Sequence, residues 1–155
     1  MDSTASLSVA IGCDKAGYEL KQLLMALIET WGYTLQDYGC YSASPVLYPD
    51  IAAAVATAVG AGEHRLGILI CGTGIGMAIC ANKIKGIRAA QSHDNYSAER
   101  ARKSNDAQIL SIGARVIGPE LAKSIVKVFL ESEFETGRSG AKVERISAVE
   151  KANRQ

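Results

Sequence analysis

The chain has 155 residues, a formal net charge of +1 and 48% hydrophobic residues. A chain of this length can bury a core large enough to fold without disulfides or metal ions, so we predict one domain, residues 1–155. The balanced charge, with no basic block, argues against nucleic acid or an anionic membrane as a partner. No uncharged segment is long enough to span a bilayer.

The N-terminus and the cysteines indicate where the protein works. The first residues, MDSTASLS, lack the basic and apolar regions of a signal peptide, which predicts a cytoplasmic protein with residues 1–6 disordered. Four cysteines show neither a CxxC pair nor the spacing of zinc ligands: Cys13, Cys40, Cys71 and Cys80. We therefore expect reduced thiols and no metal site.

Short apolar runs alternate with helical patterns along the chain. The runs, each predicted as a strand, cover residues 7–13, 33–38, 66–71, 87–91 and 108–112. The helical patterns cover residues 18–30, 49–60, 75–83, 95–104 and 119–132. Nearly continuous apolar strands that alternate with helices are typical of a parallel sheet covered on both faces. We therefore predict an α/β fold of three layers, αβα, with a five-stranded parallel sheet.

The C-terminal tail, residues 133–155, differs from the rest of the chain. Its polar stretch TGRSGAK is followed by Val143, Ile146 and Val149 at three-residue spacing, which predicts a last helix. This helix has too few apolar residues to form part of the core. We predict that the tail is a dimer contact and that its helix packs on a partner subunit.

Three polar segments follow predicted strands and predict a ligand site. Ligands of doubly wound sheets bind at the carboxyl ends of strands. That rule brings together Asp14 and Lys15, the segment CGTGIG (71–76) and the surroundings of His93.

The glycine-rich segment fits none of the common phosphate loops. A dinucleotide loop, GxGxxG, requires glycine where Met77 stands, and a Walker loop requires a Gly-Lys-Ser/Thr ending that is missing. A cysteine-phosphatase loop would have arginine at the position of Met77. What remains is Cys71 at a strand end, before a turn that opens a helix, where backbone N–H groups favour negative charge. Cys71 is therefore either a base or nucleophile, or a buried cysteine beside a turn that needs glycine.

Several separated motifs, in the same order, resemble one family. They are GCDKAGYELK (12–21), YPDIA (48–52), CGTGIGMAICANK (71–83), HDNYSAERARKSNDAQIL (93–110) and GARVIG (113–118). Over residues 7–150 the chain resembles the type B ribose-5-phosphate isomerases and the related galactose-6-phosphate isomerase subunits. The resemblance implies a Rossmann-like αβα sandwich and a homodimer or a dimer of dimers. It also implies isomerisation of a sugar phosphate, of the ribose 5-phosphate/ribulose 5-phosphate type, without metal or cofactor.

The resemblance assigns the chemistry to the glycine-rich segment. Cys71 takes the place of the base that moves a proton between C1 and C2 of the open-chain sugar, through a cis-enediolate. Some family members use a glutamate at the position of Met77 instead, and methionine cannot replace it. Thr73 matches a residue that relays a proton to the substrate oxygens. The enediolate oxygen would be held by backbone amides at Gly72, Gly74 and Gly76.

The resemblance also assigns binding roles outside that segment. The residues that match sugar- and phosphate-binding positions are Asp14, Tyr48, Asn105, Arg115 and Arg138. Lys142 replaces a further arginine, which keeps the charge but loses the bidentate fork of a guanidinium. In the family, the tail segment reaches into the neighbouring subunit's pocket, which implies that Arg138 and Lys142 act on a partner.

Three positions leave the substrate open. Lys15 replaces a histidine of the family, Ser104 replaces the histidine that opens the sugar ring, and His93 is a further residue of the same pocket. Serine does not titrate near neutrality and is a poor ring opener. A tetrose 4-phosphate cannot close a furanose and needs no ring opener, which makes a tetrose/tetrulose 4-phosphate pair the alternative substrate. A non-catalytic sugar-phosphate-binding or regulatory subunit is the alternative from another class.

Overall fold

The sheet has five parallel strands, so their carboxyl ends all lie on the same side of the sheet. The strands are β1 (Ser8–Cys13), β2 (Thr34–Asp37), β3 (Leu66–Cys71), β4 (Ala89–Gln91) and β5 (Ile109–Gly113), in the spatial order β2-β1-β3-β5-β4. The pairing places Cys71 beside Gly113 and Cys13 beside Ile70, so the segments that leave β1, β3 and β5 emerge as neighbours. The structure, a computed structural model, describes residues 7–154, and the disorder predicted for residues 1–6 lies outside the described residues.

Helices cover both faces of the sheet. They are α1 (Tyr18–Thr30), α2 (Tyr48–Gly60), α3 (Ile75–Ala81), α4 (Asn95–Lys103), α5 (Pro119–Glu131) and α6 (Thr136–Asn153). One apolar core joins the sheet to α1, α4 and α5 around Leu24 and Phe129, and a second joins it to α2 and α3 around Val55 and Met77. This arrangement confirms the predicted three-layer sandwich. Among residues 7–154, no helix has the length and apolarity needed to cross a membrane.

Asn82 sets two boundaries that differ from the predicted ones. The helix predicted to reach residue 83 ends at Ala81, and the strand predicted from residue 87 begins at Ala89. The side-chain amide of Asn82 donates to the Ala89 carbonyl at 2.9 Å, and its oxygen accepts from the Ala89 N–H at 2.8 Å. Because β4 is an edge strand, the N–H and the carbonyl of Ala89 face away from β5, and Asn82 forms the hydrogen bonds that a further strand would form.

Helix α6 begins earlier than predicted and is joined to α4. It starts at Thr136 and includes the polar stretch TGRSGAK, which the sequence pattern placed before the helix. The N–H of Glu135 donates to the carbonyl of Lys103 at 3.0 Å, and Ser139 is buried one turn later. The start of α6 is therefore fixed against the end of α4.

The second half of α6 lies against its own chain but leaves apolar side chains exposed. The carboxylate of Glu150 accepts from the N–H of Gly86 at 3.1 Å. On the same helix, Ile146 and Val149 remain 42% and 52% exposed. Packing of this helix on a partner subunit stays a prediction.

Candidate active site

The residues after β3 form a tight turn that only glycine can build. The glycine turn, residues 71–76, leads from the end of β3 into α3. Gly74 has a φ of +76°, a conformation that L side chains rarely adopt, and a Cβ there would lie 2.9 Å from the backbone carbonyl carbon of Ile112. The bare backbone of Gly74 therefore follows from the approach of β5.

Cys71 lies beneath this turn with its sulfur held by the backbone. The side chain is 5% exposed, and its Sγ accepts a hydrogen bond from the N–H of Gly74 at 3.1 Å. The Cys71 carbonyl accepts from the N–H of Ala114 at 2.8 Å, which joins the end of β3 to the residue after β5. These two bonds join Cys71 to the glycine turn and to the segment after β5.

A second cysteine at this edge is unsuited to proton transfer. Cys13 ends β1, and its Sγ lies 3.8 Å from the Sγ of Cys40. Burial raises the pKa of Cys13 to about 12, although the positive charge of nearby Lys21 opposes the shift. The Cys13 thiol stays protonated at neutral pH, which leaves Cys71 as the cysteine of the site.

Side chains from two neighbouring strands brace the glycine turn. The hydroxyl of Ser111, buried on β5, donates to the carbonyl of Gly74 at 2.6 Å. The amide of Gln91, at the end of β4, donates to the carbonyl of Thr73 at 2.8 Å. The exposed Thr73 hydroxyl accepts from the N–H of Ile75 at 3.2 Å, so its own proton is free to turn toward a ligand.

Arg115 and Tyr48 lie close to two different glycines of the turn. The N–H of Arg115 donates to the carbonyl of Gly72 at 3.1 Å, and a Cβ on Gly72 would lie 3.5 Å from the Arg115 guanidinium. A Cβ on Gly76 would lie 2.5 Å from the hydroxyl of Tyr48. The two glycines thus let a cation and a phenol approach the backbone of the turn.

Asp14 and Lys15 follow β1 at the same edge. The N–H of Asp14 donates to the carbonyl of Ile70 at 3.1 Å, which places the residue beside the end of β3. One carboxylate oxygen of Asp14 accepts from the N–H of Gly17 at 3.1 Å and caps a short 3-10 turn, Lys15–Gly17. The Lys15 side chain is exposed. The second oxygen of Asp14 is available for a sugar hydroxyl.

His93 also lies at the carboxyl edge, but one of its ring nitrogens is engaged. Its Nε2 accepts a hydrogen bond from the N–H of Gly113 at 2.9 Å, so the ring proton of the neutral imidazole sits on Nδ1. This bond uses the lone pair that a base would need on Nε2. His93 therefore supports the end of β5 beside Cys71.

The remaining predicted residues form a separate group that lines a polar cavity. This cationic cavity, of about 380 Å³, is lined by Tyr96, Arg100, Ser104, Asn105, Arg138, Ser139 and Lys142. Its residues come from α4, from the turn after it and from the first turns of α6. Two guanidinium groups and one ammonium group around a small volume favour a phosphate.

Ser104 and Asn105 of the cationic cavity lie at the amino ends of the strands, on the other side of the sheet from Cys71. Helix α4 starts beside His93 at the carboxyl edge and runs back along the sheet. At its far end the carbonyl of Asn105 accepts from Nε of Arg88 at 3.0 Å, and Arg88 directly precedes β4. The five residues of β5, which rise about 3.3 Å each, separate the carboxyl ends of the strands from their amino ends. One chain thus brings Cys71, Arg115, Tyr48 and Asp14 together but places Ser104 and Asn105 at the other ends of the strands.

Comparison with known proteins identifies the family. A protein-family model described as Ribose/Galactose Isomerase matches residues 9–146. The chain belongs to this family. A ribose-5-P isomerase B of Listeria innocua is 55% identical over 96% of this chain and all of that protein. A D-erythrulose-4-phosphate isomerase of Pectobacterium atrosepticum is 53% identical over 93% of this chain and 95% of that protein.

The solved structures of the family confirm the fold. The ribose-5-phosphate isomerase B of Clostridium thermocellum superposes with a TM-score of 0.92 at 43% identity, over 95% of this chain and 99% of that one. Type B ribose 5-phosphate isomerase of Leishmania infantum gives a TM-score of 0.90 at 42% identity, over 95% and 98%. The predicted membership in this isomerase family is therefore correct.

The residues around the site that were missed in the sequence include Gln91, Ser111 and Arg100. Gln91 and Ser111 brace the glycine turn through backbone carbonyls, and nothing in their local sequence marks them. Arg100 carried a signal, because it stands four residues before Ser104 on a predicted helix, a spacing that brings side chains together. In the structure its guanidinium contacts the hydroxyl of Ser104.

Proposed function

We propose that this protein interconverts an aldose phosphate and its ketose phosphate through a cis-enediolate, with Cys71 as the base. The observation that carries this proposal is the Cys71 sulfur beneath a glycine turn, with Asp14, Tyr48 and Arg115 beside the same turn. Met77, at the position where other members use glutamate, is fully buried in the core and cannot face a substrate. The proton transfer therefore falls to the thiol.

The reaction needs one proton to move between two carbons, a second to move between two oxygens, and a negative charge to be stabilised on oxygen. Cys71, as the thiolate, takes the proton from C2 of the open-chain aldose. The electrons of that C–H bond form the C1–C2 double bond, and the carbonyl oxygen becomes an oxyanion. Return of the proton to C1 gives the ketose, with Thr73 as the group that moves a proton between the two oxygens.

Backbone amides of the glycine turn would hold the oxyanion. The N–H of Gly74 is used by the Cys71 sulfur, and the N–H of Ile75 is used by the Thr73 hydroxyl. Gly74, which we expected among the oxyanion donors, is therefore not one of them. The amides of Gly72, Thr73 and Gly76 are not used by these two bonds and are the donors we assign to the enediolate. Preorganised donors of this kind are worth several kcal/mol in a transition state, about 3 kcal/mol for one donor.

A complete site would need two copies of the chain. Arg115 is the candidate phosphate ligand beside Cys71 in the same chain. Arg138 and Lys142 line the cationic cavity, together with Ser104 and Asn105. We propose that each copy places its cavity against the glycine turn of the other, so Asn105 and Ser104 also act on the partner. Ile75 and Ile79 on α3, 51% and 57% exposed, supply apolar surface beside the turn for such a contact.

Among substrates, we favour a tetrose/tetrulose 4-phosphate pair over ribose/ribulose 5-phosphate. A pentose 5-phosphate exists mostly as a furanose, which must be opened by acid–base chemistry. At the position of the residue that opens the ring, this chain has Ser104. A tetrose 4-phosphate has its C4 oxygen blocked by phosphate and stays open. Relatives named for each substrate are almost equally similar, at 55% and 53% identity, so overall similarity does not separate the two.

The test is a comparison of kcat/KM for both sugar pairs in one buffer made with deuterium oxide. We expect isomerisation of both pairs with solvent deuterium incorporated at the carbon that gains hydrogen, and a higher kcat/KM for the tetrose pair. Ribose 5-phosphate turned over about tenfold better than tetrose 4-phosphate would overturn the substrate preference. Binding without turnover or deuterium incorporation would instead identify a non-catalytic sugar-phosphate-binding subunit.

A further inference from the structure

Arg100 donates two hydrogen bonds to the hydroxyl of Ser104. Its Nε donates to Ser104 Oγ at 2.9 Å, and its Nη2 donates to the same oxygen at 2.7 Å. The two residues stand four positions apart at the end of α4, so helix geometry brings them together. Both line the cationic cavity beside Asn105.

This contact determines what the Ser104 hydroxyl can still do. A hydroxyl has one proton to donate and two lone pairs to accept with. The two N–H groups of Arg100 occupy both lone pairs, which leaves only the proton for a ligand. Ser104 is therefore a donor-only hydroxyl, one that can bind an oxygen of a substrate but cannot take up a proton.

The other contacts of Arg100 are longer and do not compete with its two hydrogen bonds to Ser104. Its guanidinium lies 3.6 Å from carboxylate oxygens of Glu99 and Glu135, beyond hydrogen-bond distance. Lys103 shares the same two carboxylates, at 3.6 and 4.0 Å. Since a guanidinium stays charged at any working pH, the positive charge beside Ser104 is permanent.

We propose that Arg100 determines substrate specificity by holding Ser104 as a donor-only hydroxyl, which excludes enzymatic ring opening. Opening a furanose requires a base to take the proton of the anomeric hydroxyl while the ring oxygen gains a proton. With both lone pairs occupied, Ser104 can only donate, to an oxygen of a sugar that is already open. The inference rests on the proposed isomerisation and assigns its substrate class as sugar phosphates that are open without catalysis.

Arg100 would also affect a histidine introduced at position 104. A protonated imidazole there would lie beside the permanent charge of Arg100, so a cycle through the imidazolium is disfavoured. Replacing Ser104 alone is therefore not enough to create a ring opener. The guanidinium has to be removed as well.

The experiment compares Ser104→His, Arg100→Gln and the double variant Arg100→Gln/Ser104→His with the wild type. Lys103→Gln is the matched control, because it removes one positive charge from the same helix end without touching Ser104. For each protein, the initial rate on ribose 5-phosphate is measured over a wide range of enzyme concentration, together with kcat/KM on tetrose 4-phosphate. Thermal unfolding checks that every variant is folded.

We expect the wild-type rate on ribose 5-phosphate to level off as enzyme increases, because spontaneous ring opening limits it. In the double variant the rate should stay proportional to enzyme and exceed that of Ser104→His by about 10²-fold, the usual contribution of a positioned acid–base group. Lys103→Gln should behave as the wild type on both sugars. A merely structural role of Arg100 would lower both activities together without changing how the rate depends on enzyme concentration.

Two results would overturn the inference, and they differ from failure of the isomerase proposal. One is a wild-type rate on ribose 5-phosphate that stays proportional to enzyme at the highest concentrations. The other is a single variant, Ser104→His, that matches the double variant. If neither sugar phosphate is converted by the wild type, the proposed isomerisation itself is wrong.

Discussion

The glycine turn and the cationic cavity are built from different parts of the same chain. In the turn, the backbone supplies the shape: glycine is required at position 74 because the Ile112 backbone approaches it, and Gly76 leaves room for the Tyr48 ring. In the cavity, side chains from α4 and α6 supply the shape, and Arg138 and Lys142 are exposed. A backbone site has a geometry fixed by the fold, whereas a side-chain site acquires its final geometry when something covers it. We therefore expect the chemistry to depend on the turn and the affinity to depend on the cavity.

The strongest test of this division is Cys71→Ala. Loss of the positioned base should lower kcat about 10²- to 10⁴-fold while the melting temperature changes little. Cys80→Ala is the matched control, because it removes a second thiol that donates to the Pro49 carbonyl and has no assigned role in the reaction. A fall in kcat of less than about threefold for Cys71→Ala would show that another group moves the proton.

Subunit mixing tests whether the two regions meet across a dimer. A Cys71→Ala chain and an Arg138→Ala chain are each damaged in one region, and a mixed dimer contains one site free of both lesions. After random exchange, activity should rise to about a quarter of the wild-type value, because half of the dimers are mixed and each has one intact site. No recovery in a preparation that exchanges subunits, as shown by mass spectrometry, would mean that each chain builds its own site.

Two glycines of the turn should separate stability from substrate binding. Gly76→Ala would displace the mobile end of the half-exposed Tyr48, so we expect a higher KM with little change in melting temperature. Gly74→Ala places a side chain at a φ of +76° against the backbone of Ile112, which should destabilise the fold by at least about 1 kcal/mol. Gly118→Ala, where an added Cβ meets nothing within 4 Å, is the control. Equal loss of stability in the two turn variants would contradict this assignment.

The sequence pattern predicted most of the fold and one of the two regions. All five strands, the four helices between them and α5 after the last strand followed from hydrophobic periodicity, which is clearest in the buried strands β1, β3 and β5. The glycine turn was predictable too, because its residues are contiguous and stand at a strand end. The start of α6 was not, since Gly137 and Gly140 weaken the helical pattern, and it is the bond from Glu135 to Lys103 that fixes this start.

The position of Ser104 and Asn105 shows the limit of reasoning from motifs. Both stand in the same motif as His93, which suggests one pocket. The helix between them carries the chain from one edge of the sheet to the other, so His93 lies beside Cys71 while Asn105 lies beside Arg88. Distance along a helix, rather than residue type, decided which residues share a cavity.

The pairing of Asn82 with Ala89 bears on how copies of this protein can aggregate. Edge strands expose rows of N–H and C=O groups on which a foreign strand can grow. Strand β4 has only three residues, and the side chain of Asn82 already occupies both backbone groups of Ala89. An incoming strand would have to displace that amide to gain a ladder of hardly more than one rung. Continuous sheets between molecules, the route to fibrils, are therefore blocked at this edge, and copies can associate there only through helices and side chains.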